Sequence, residues 1–204
     1  MVLRVLIVAI LSFLIWLPGS SNAQTTTYGD EDIPFRAGFG ITAAYAQNSF
    51  QWWGTMENTK QLYLNLSFLH TRSESLRLPV ELSSDLILAG WIRYPEDGID
   101  GPRQSTTGLG IVPMRVILPL SNSSAMPFFS FAAGFIVMGT EFPIEIGTRF
   151  NYILEAGTGY RFSLSNEHRF EAGLKLTHLS NGNTGIQNPG IDSGMIFVSY
   201  YFPN

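Results

Sequence analysis

A chain of 204 residues that is 45% hydrophobic, 13% aromatic and only 14% charged is too apolar to be disordered. The absence of cysteine excludes disulfide-stapled secreted domains, thiol enzymes and zinc-thiolate modules. Twelve basic residues against sixteen acidic ones leave a net charge of −4, which argues against a nucleic-acid binder.

The chain opens with an address. Arg4 precedes an apolar run from Val5 to Leu17, broken only by Ser12, and Pro18-Gly19-Ser20-Ser21-Asn22-Ala23 follows with helix-breaking and small residues. This is the pattern of a signal peptide over residues 1–23, cut after Ala23. The run is too short to cross a membrane as an anchor: as a helix it spans about 20 Å against a hydrocarbon core of ~30 Å. An exported chain of one domain, 24–204, is expected.

Beyond the leader no segment is apolar for long enough to form a transmembrane helix. The apolar residues alternate instead, which makes extended strands with one greasy face. Residues 35–45 place Phe35, Ala37, Phe39, Ile41, Ala43 and Tyr45 on one face and Arg36, Gly38, Gly40 and Thr42 on the other. Leu62, Leu64, Leu66 and Phe68 alternate with Tyr63, Asn65 and Ser67. Over 80–92, Leu82, Leu86 and Leu88 oppose Asp85 and, just beyond, Arg93; further on, Val112, Met114, Val116 and Leu118 oppose Arg115. Phe129, Phe131, Ala133 and Phe135 oppose Ser130, Ala132 and Gly134. The strongest repeat is 150–162, where Phe150, Tyr152, Leu154, Ala156, Thr158, Tyr160 and Phe162 share a face with aromatics near both ends, as membrane-interface girdles require. Phe170, Ala172, Leu174 and Leu176 oppose Glu171, Gly173, Lys175 and Thr177, and Ile196, Val198, Tyr200 and Phe202 form the last strand. Eight strands are predicted.

Their connections differ in character. Short polar turns at 72–75, 121–124 and 165–167 alternate with longer stretches at 47–59, 94–106, 138–148 and 181–191. Short turns at one end and long loops at the other describe an all-β, eight-stranded antiparallel outer-membrane barrel with its turns in the periplasm. Arg36, Arg115, Glu155, Arg161, Glu171 and Lys175 share the faces opposite the greasy ones, so a polar, charge-paired interior is expected. A soluble lipocalin-like barrel has the same period, but its exterior would carry many more charges than these strands do. Barrels of this kind commonly end on an aromatic, whereas here Pro203-Asn204 follow Phe202.

His70 and His168 flank turns and read as solvated, as do Glu141 and Glu145 in an outer loop. Trp52 and Trp53 read as interface anchors. Glu96 and Asp97 are paired acids that could bind a divalent cation, but nothing in their spacing demands it, and no metal site is expected. His178 is different. It continues the greasy face of Phe170 to Leu176, and Ser180 is the next residue on that face. Residues two apart on a strand lie roughly 6.6 Å apart with side chains pointing the same way. An imidazole there can reach the hydroxyl, which needs a base to become a nucleophile and a carboxylate to orient that base. Asp192 shares parity with Ile196, Val198 and Tyr200 on the neighbouring strand and can stand opposite His178. Ser180, His178 and Asp192 make a candidate hydrolytic triad on the outside of the barrel.

The run Thr177-His178-Leu179-Ser180-Asn181-Gly182, followed by Asn188-Pro189-Gly190 and Asp192, resembles the PagL family of lipid A 3-O-deacylases, outer-membrane esterases with a His-x-Ser-Asn signature on an eight-stranded barrel. The resemblance implies Ser180 as nucleophile and His178 as general base, and it matches Asn188 to the family's proposed oxyanion-hole side chain. Asn181 and the Gly182 N–H are further candidates for that role or for holding the loop. Where the family carries a glutamate fourteen residues after the histidine, this chain has Asp192, whose shorter arm must approach more closely. The implied substrate is lipid A of lipopolysaccharide, without metal or organic cofactor and without nucleic acid; monomer and homodimer are both compatible with the sequence. Two other readings share the same residues: a structural or adhesive outer-membrane barrel with interfacial His178 and Ser180, and an outer-membrane phospholipase.

Overall fold

The computed structural model describes residues 37–73, 79–121, 123–142, 147–164 and 168–203. The expected signal peptide, Phe35, Arg36, Glu145, Asn122, parts of the 72–75 turn and the 165–167 turn lie outside the described residues.

Among the described residues the regular structure is β throughout: β1 (Gly38–Ala46), β2 (Ser49–Phe50), β3 (Lys60–Ser73), β4 (Val80–Pro95), β5 (Arg103–Pro119), β6 (Ala125–Phe142), β7 (Thr148–Ser163), β8 (Arg169–Ser180) and β9 (Ile191–Tyr201). From β3 onward each strand pairs antiparallel with the next, and β1 pairs with both β3 and β9. The β1–β9 seam runs from Gly40↔Tyr201 to Tyr45↔Ile196 and closes an eight-stranded barrel. The two-residue β2 resumes the place of β1 along β9, at Ser49↔Ser193 and Phe50↔Asp192. Closure matters because lipid offers no partner to a free sheet edge. No helix among the described residues is long and apolar enough to cross a membrane.

The period-two faces sort as expected over most of the barrel. Phe39, Ile41, Leu62, Leu64, Phe129, Phe131, Leu154, Leu174 and Val198 are exposed on the outside. Arg115, Glu155, Arg161, Glu171 and Lys175 point inward and pair. Two chains of charge result: Asp85–Arg115–Glu155–Lys175, and Glu81–Arg161–Glu171, in which both Arg161 contacts are 2.6 Å. Around them pack buried Phe128, Ile117, Phe197 and Tyr201, with the Arg161 guanidinium over the Phe128 ring. The interior is filled, with no open channel expected at this strand number.

Two expectations fail at bulges, for one reason. Between Ile87 and Gly90 the β4–β5 register shifts, so odd residues face inward before it and even residues after it. Asp85 is therefore inside, but Arg93, read as sharing its face, is outside and exposed. A second shift lies between Ile111 and Met114 at Pro113, which has no N–H to give the ladder. It turns Val112 inward to 1% exposure, whereas Met114, Val116 and Leu118 keep the outer face expected of them. An inserted residue swaps every side chain beyond it to the other face.

Strands also run further than their greasy stretches. β4 and β5 extend to Pro95 and Arg103, and β6 reaches Phe142, so much of the expected loops at 94–106 and 138–148 is ladder. Backbone pairing continues above the lipid because its hydrogen bonds need no apolar side chain. At this end the barrel is capped from within by Met56, Phe142, Tyr94 and Met138, all buried. The 47–59 loop carries Met56 into place. Ser49 Oγ donates to the Met56 carbonyl at 2.9 Å and accepts from Thr59 N–H at 3.1 Å.

Candidate active site

The site stands on the outer face at the loop end of β8 and β9. Register places His178 directly opposite Asp192 across the β8–β9 ladder. Facing residues on one side of an antiparallel pair have Cβ atoms roughly 5 Å apart. That is close enough for the short aspartate arm, and His178 Nδ1 lies 2.6 Å from Asp192 Oδ1. Ser180 follows two residues later on the same face, at the end of β8. No hydrogen bond joins its hydroxyl to the imidazole among the described residues. On the β7 side, Tyr152 is opposite Ser180 and Leu154 is opposite His178. The site is thus flanked by the outward apolar residues Tyr152, Leu154 and Leu176.

Burial separates these residues from their lipid-exposed neighbours. Along the same face of β9, Ile196 is 61% exposed, whereas Asp192 is 2% exposed. The cover is the segment Trp52-Trp53-Gly54. Its backbone N–H groups donate to Asp192 Oδ2 at 3.1, 2.6 and 2.6 Å, so both carboxylate oxygens are engaged. The Trp53 ring meets the His178 ring edge-on at 5.6 Å, and the Trp52 and Trp53 rings stack on each other. Both indoles stay exposed on the outside, where anchors belong, but the same two residues hold the acid through their backbones. Sequence reading missed that role because a backbone N–H leaves no side-chain signature. The available signal was a carboxylate on a lipid-facing parity, which demands donors from somewhere.

The loop after Ser180 is built by Asn181. Gly182 and Asn183 both have φ of +62°, the left-handed pair of a tight turn, and Thr184 N–H closes the turn onto the Asn181 carbonyl at 3.2 Å. The Tyr152 ring lies where a Gly182 Cβ would be, at 2.9 Å, so glycine is required there twice over. The Asn181 side chain, fully buried, accepts from Asn183 N–H at 2.9 Å and donates to the Gln187 carbonyl at 2.7 Å. Both ends of that amide are taken up by the loop. Asn188 Oδ1 accepts from Asn181 N–H at 2.9 Å, which turns the Asn188 amide so that its Nδ2 points away from that contact. Pro189 and Gly190 then offer their carbonyls to Thr55 and Met56 N–H at 2.6 and 3.2 Å, joining the two loops.

The other candidates lie apart. His70, exposed, shares a 2.7 Å hydrogen bond with Ser84, and the His168 ring stacks on Tyr200. Asp97 Oδ1 is occupied by the N–H groups of its own turn. Donors from Gly101, Ile99 and Asp100 hold its carboxyl below the ordinary carboxylate range. No cluster of three histidine or acidic residues suited to a metal occurs among the described residues.

Comparison with known proteins follows the same lines. The model of the lipid A 3-O-deacylase (PagL) family matches residues 22–201. Among solved structures, the crystal structure of the outer membrane enzyme PagL is similar with a TM-score of 0.57 at 18% identity, over 79% of this chain and 97% of that one. That likeness concerns the fold. No curated protein matches this chain in sequence. With the family match running over residues 22–201, the chain belongs to the PagL family and is an outer-membrane barrel hydrolase, a lipid A deacylase.

Proposed function

We propose that this chain removes the 3-O acyl chain of lipid A with a Ser180–His178–Asp192 triad on the lipid-facing exterior of the barrel. The observation that carries the reading is the 2.6 Å contact between His178 Nδ1 and Asp192 Oδ1 on the outer face, with Ser180 two residues along the same strand. A carboxylate can only accept, so Nδ1 carries the proton and Nε2 keeps its lone pair for the serine. An ester in the outer leaflet presents its linkage at headgroup depth, the level at which the apolar face of β8 gives way to His178 and Ser180.

As Ser180 Oγ attacks the acyl carbonyl, its proton passes to His178 Nε2. Asp192 stabilises the imidazolium that forms. The Asn188 Nδ2 group, left without the bond that Asn181 N–H makes to Oδ1, donates to the oxyanion, with the Gly182 N–H as a further donor. Collapse of the tetrahedral intermediate expels the sugar hydroxyl, which takes the proton back from His178, and leaves the acyl chain on Ser180. Water, deprotonated by His178, then releases the fatty acid and restores the serine. Asn181 supports this arrangement as the brace of the loop. The acyl chain lies along the outer apolar wall, where Leu154 and Leu176 flank the site.

The test is mass spectrometry of lipid A from cells producing the wild type or Ser180→Ala, with both proteins shown folded in the outer membrane. The wild type should remove one ester-linked hydroxyacyl chain and the variant none. Deacylation by both would remove Ser180 from the reaction. Intact lipid A together with loss of acyl chains from phospholipids would assign the site to phospholipid hydrolysis instead.

A further inference from the structure

Asp192 is held by more donors than the orientation of a histidine requires. Three consecutive N–H groups, from Trp52, Trp53 and Gly54, converge on Oδ2 while Oδ1 alone faces the imidazole. Such a backbone concavity is a built anion site, and it compensates an otherwise costly carboxylate on a lipid-facing parity. The segment is packed and bonded against the 181–191 loop. A Cβ on Gly54 would lie 2.6 Å from the carbonyl carbon and oxygen of Gly190. Thr55 and Met56 are bonded to the Pro189 and Gly190 carbonyls immediately beyond. The loop that holds the acid is thereby locked to the loop that carries Asn188.

We infer that the Trp52–Gly54 backbone is a positioning clamp that fixes the orientation of Asp192 and, through it, the tautomer of His178. With Oδ2 committed to three donors, the carboxylate cannot turn away and Oδ1 is held against the ring; as an acceptor it requires Nδ1 to donate and leaves Nε2 bare. The consequence for rate rests on the triad reading above; the consequence for the tautomer does not.

An amide at position 192 discriminates. In Asp192→Asn the three N–H groups require the carbonyl oxygen where Oδ2 was. The NH2 group then faces His178 Nδ1, which becomes an acceptor, and the ring proton moves to Nε2. Without a clamp the amide would rotate, offer its oxygen to Nδ1–H and leave the tautomer unchanged. The clamp also fits the shorter acid: in Asp192→Glu an added methylene cannot keep Oδ2 in the amides and Oδ1 on the ring together.

The experiment is nitrogen–proton correlation NMR of histidine-labelled full-length mature protein in detergent micelles at mildly alkaline pH, with His178 assigned through His178→Gln. Protonation at Nδ1 in the wild type and at Nε2 in Asp192→Asn is expected. Trp52→Ala, which keeps its backbone donor, should retain the wild-type tautomer. Gly54→Ala, which displaces the loop, should give a mixture. Lipid A hydrolysis by Asp192→Asn should fall by about 10³–10⁴-fold, as low as for Asp192→Ala. Nδ1–H retained in Asp192→Asn, or Nε2–H in the wild type, overturns the clamp. Should Gly54→Ala fail to form a folded barrel, Asp192→Asn decides alone. The expected tautomers in a protein that leaves lipid A intact would uphold the clamp and count against the esterase; an active wild type whose Asp192→Asn keeps Nδ1–H would do the reverse.

Discussion

The Asn188 side chain shows how one backbone contact gives a residue its chemistry. An amide can present either end, and here Asn181 N–H selects the oxygen, so that in the proposed mechanism Nδ2 is the end that serves the ester. Asn188→Ala should lower kcat by about 10²–10³-fold with KM nearly unchanged, the usual cost of one oxyanion donor. Asn188→Asp keeps the Asn181 bond yet substitutes an acceptor and a negative charge for the donor, so steady-state kinetics should show a loss at least as large. Equal activity in the aspartate variant would remove Nδ2 from the reaction. For the proposed site, the sequence was informative wherever a side chain carries the role assigned to it. His178, Ser180 and Asp192 stand out because polar groups sit on a face otherwise read as greasy. Trp53 and Gly54 did not stand out as partners of Asp192, because what they contribute is peptide N–H.

At the scale of elements, the strands followed from period two and the connections followed less well. Alternation places a side chain correctly until the first bulge, and a bulge depends on two strands at once. In β5 the missing N–H of Pro113 was a visible cue, and in β4 the shift after Ile87 is marked only by Gly90, which fixes neither the position nor the partner of the bulge. The loops at the active-site end hold shape through backbone bonds and a few buried amides rather than through apolar packing. Asn181 is the clearest case, fully buried with both ends of its side chain bonded inside the loop. Asn181→Ala removes two such bonds, worth roughly 1–3 kcal/mol together. Limited proteolysis should then cut within 182–190 in a protein that still migrates as a folded barrel on unheated gels; resistance equal to the wild type would show that the turn holds without it.

For the whole molecule, the barrel is an inverted object: lipid takes the apolar faces and the interior carries the charge. The Glu81–Arg161–Glu171 chain spans the inside at 2.6 Å contacts with side chains at most 6% exposed. Breaking a buried pair from one side leaves uncompensated charge, so Arg161→Met should destabilise by about 3–5 kcal/mol, read as a lowered urea midpoint of the folded barrel in detergent. Replacing Glu81, Arg161 and Glu171 together by apolar residues of similar size should recover most of that loss, since no charge is then stranded. Sequence had marked Arg161 and Glu171 for this interior but not Glu81, whose strand has the weakest alternation of the eight. A filled interior agrees with the central proposal, that the chemistry takes place on the outer wall, where a lipid ester can arrive laterally without entering the protein. That claim is tested most directly by treating purified protein in micelles with a fluorophosphonate serine probe and mapping the modified peptide by mass spectrometry. The account predicts one adduct, on Ser180, abolished in His178→Ala. An unmodified Ser180 in protein that deacylates lipid A, or an adduct on a different serine, would contradict it.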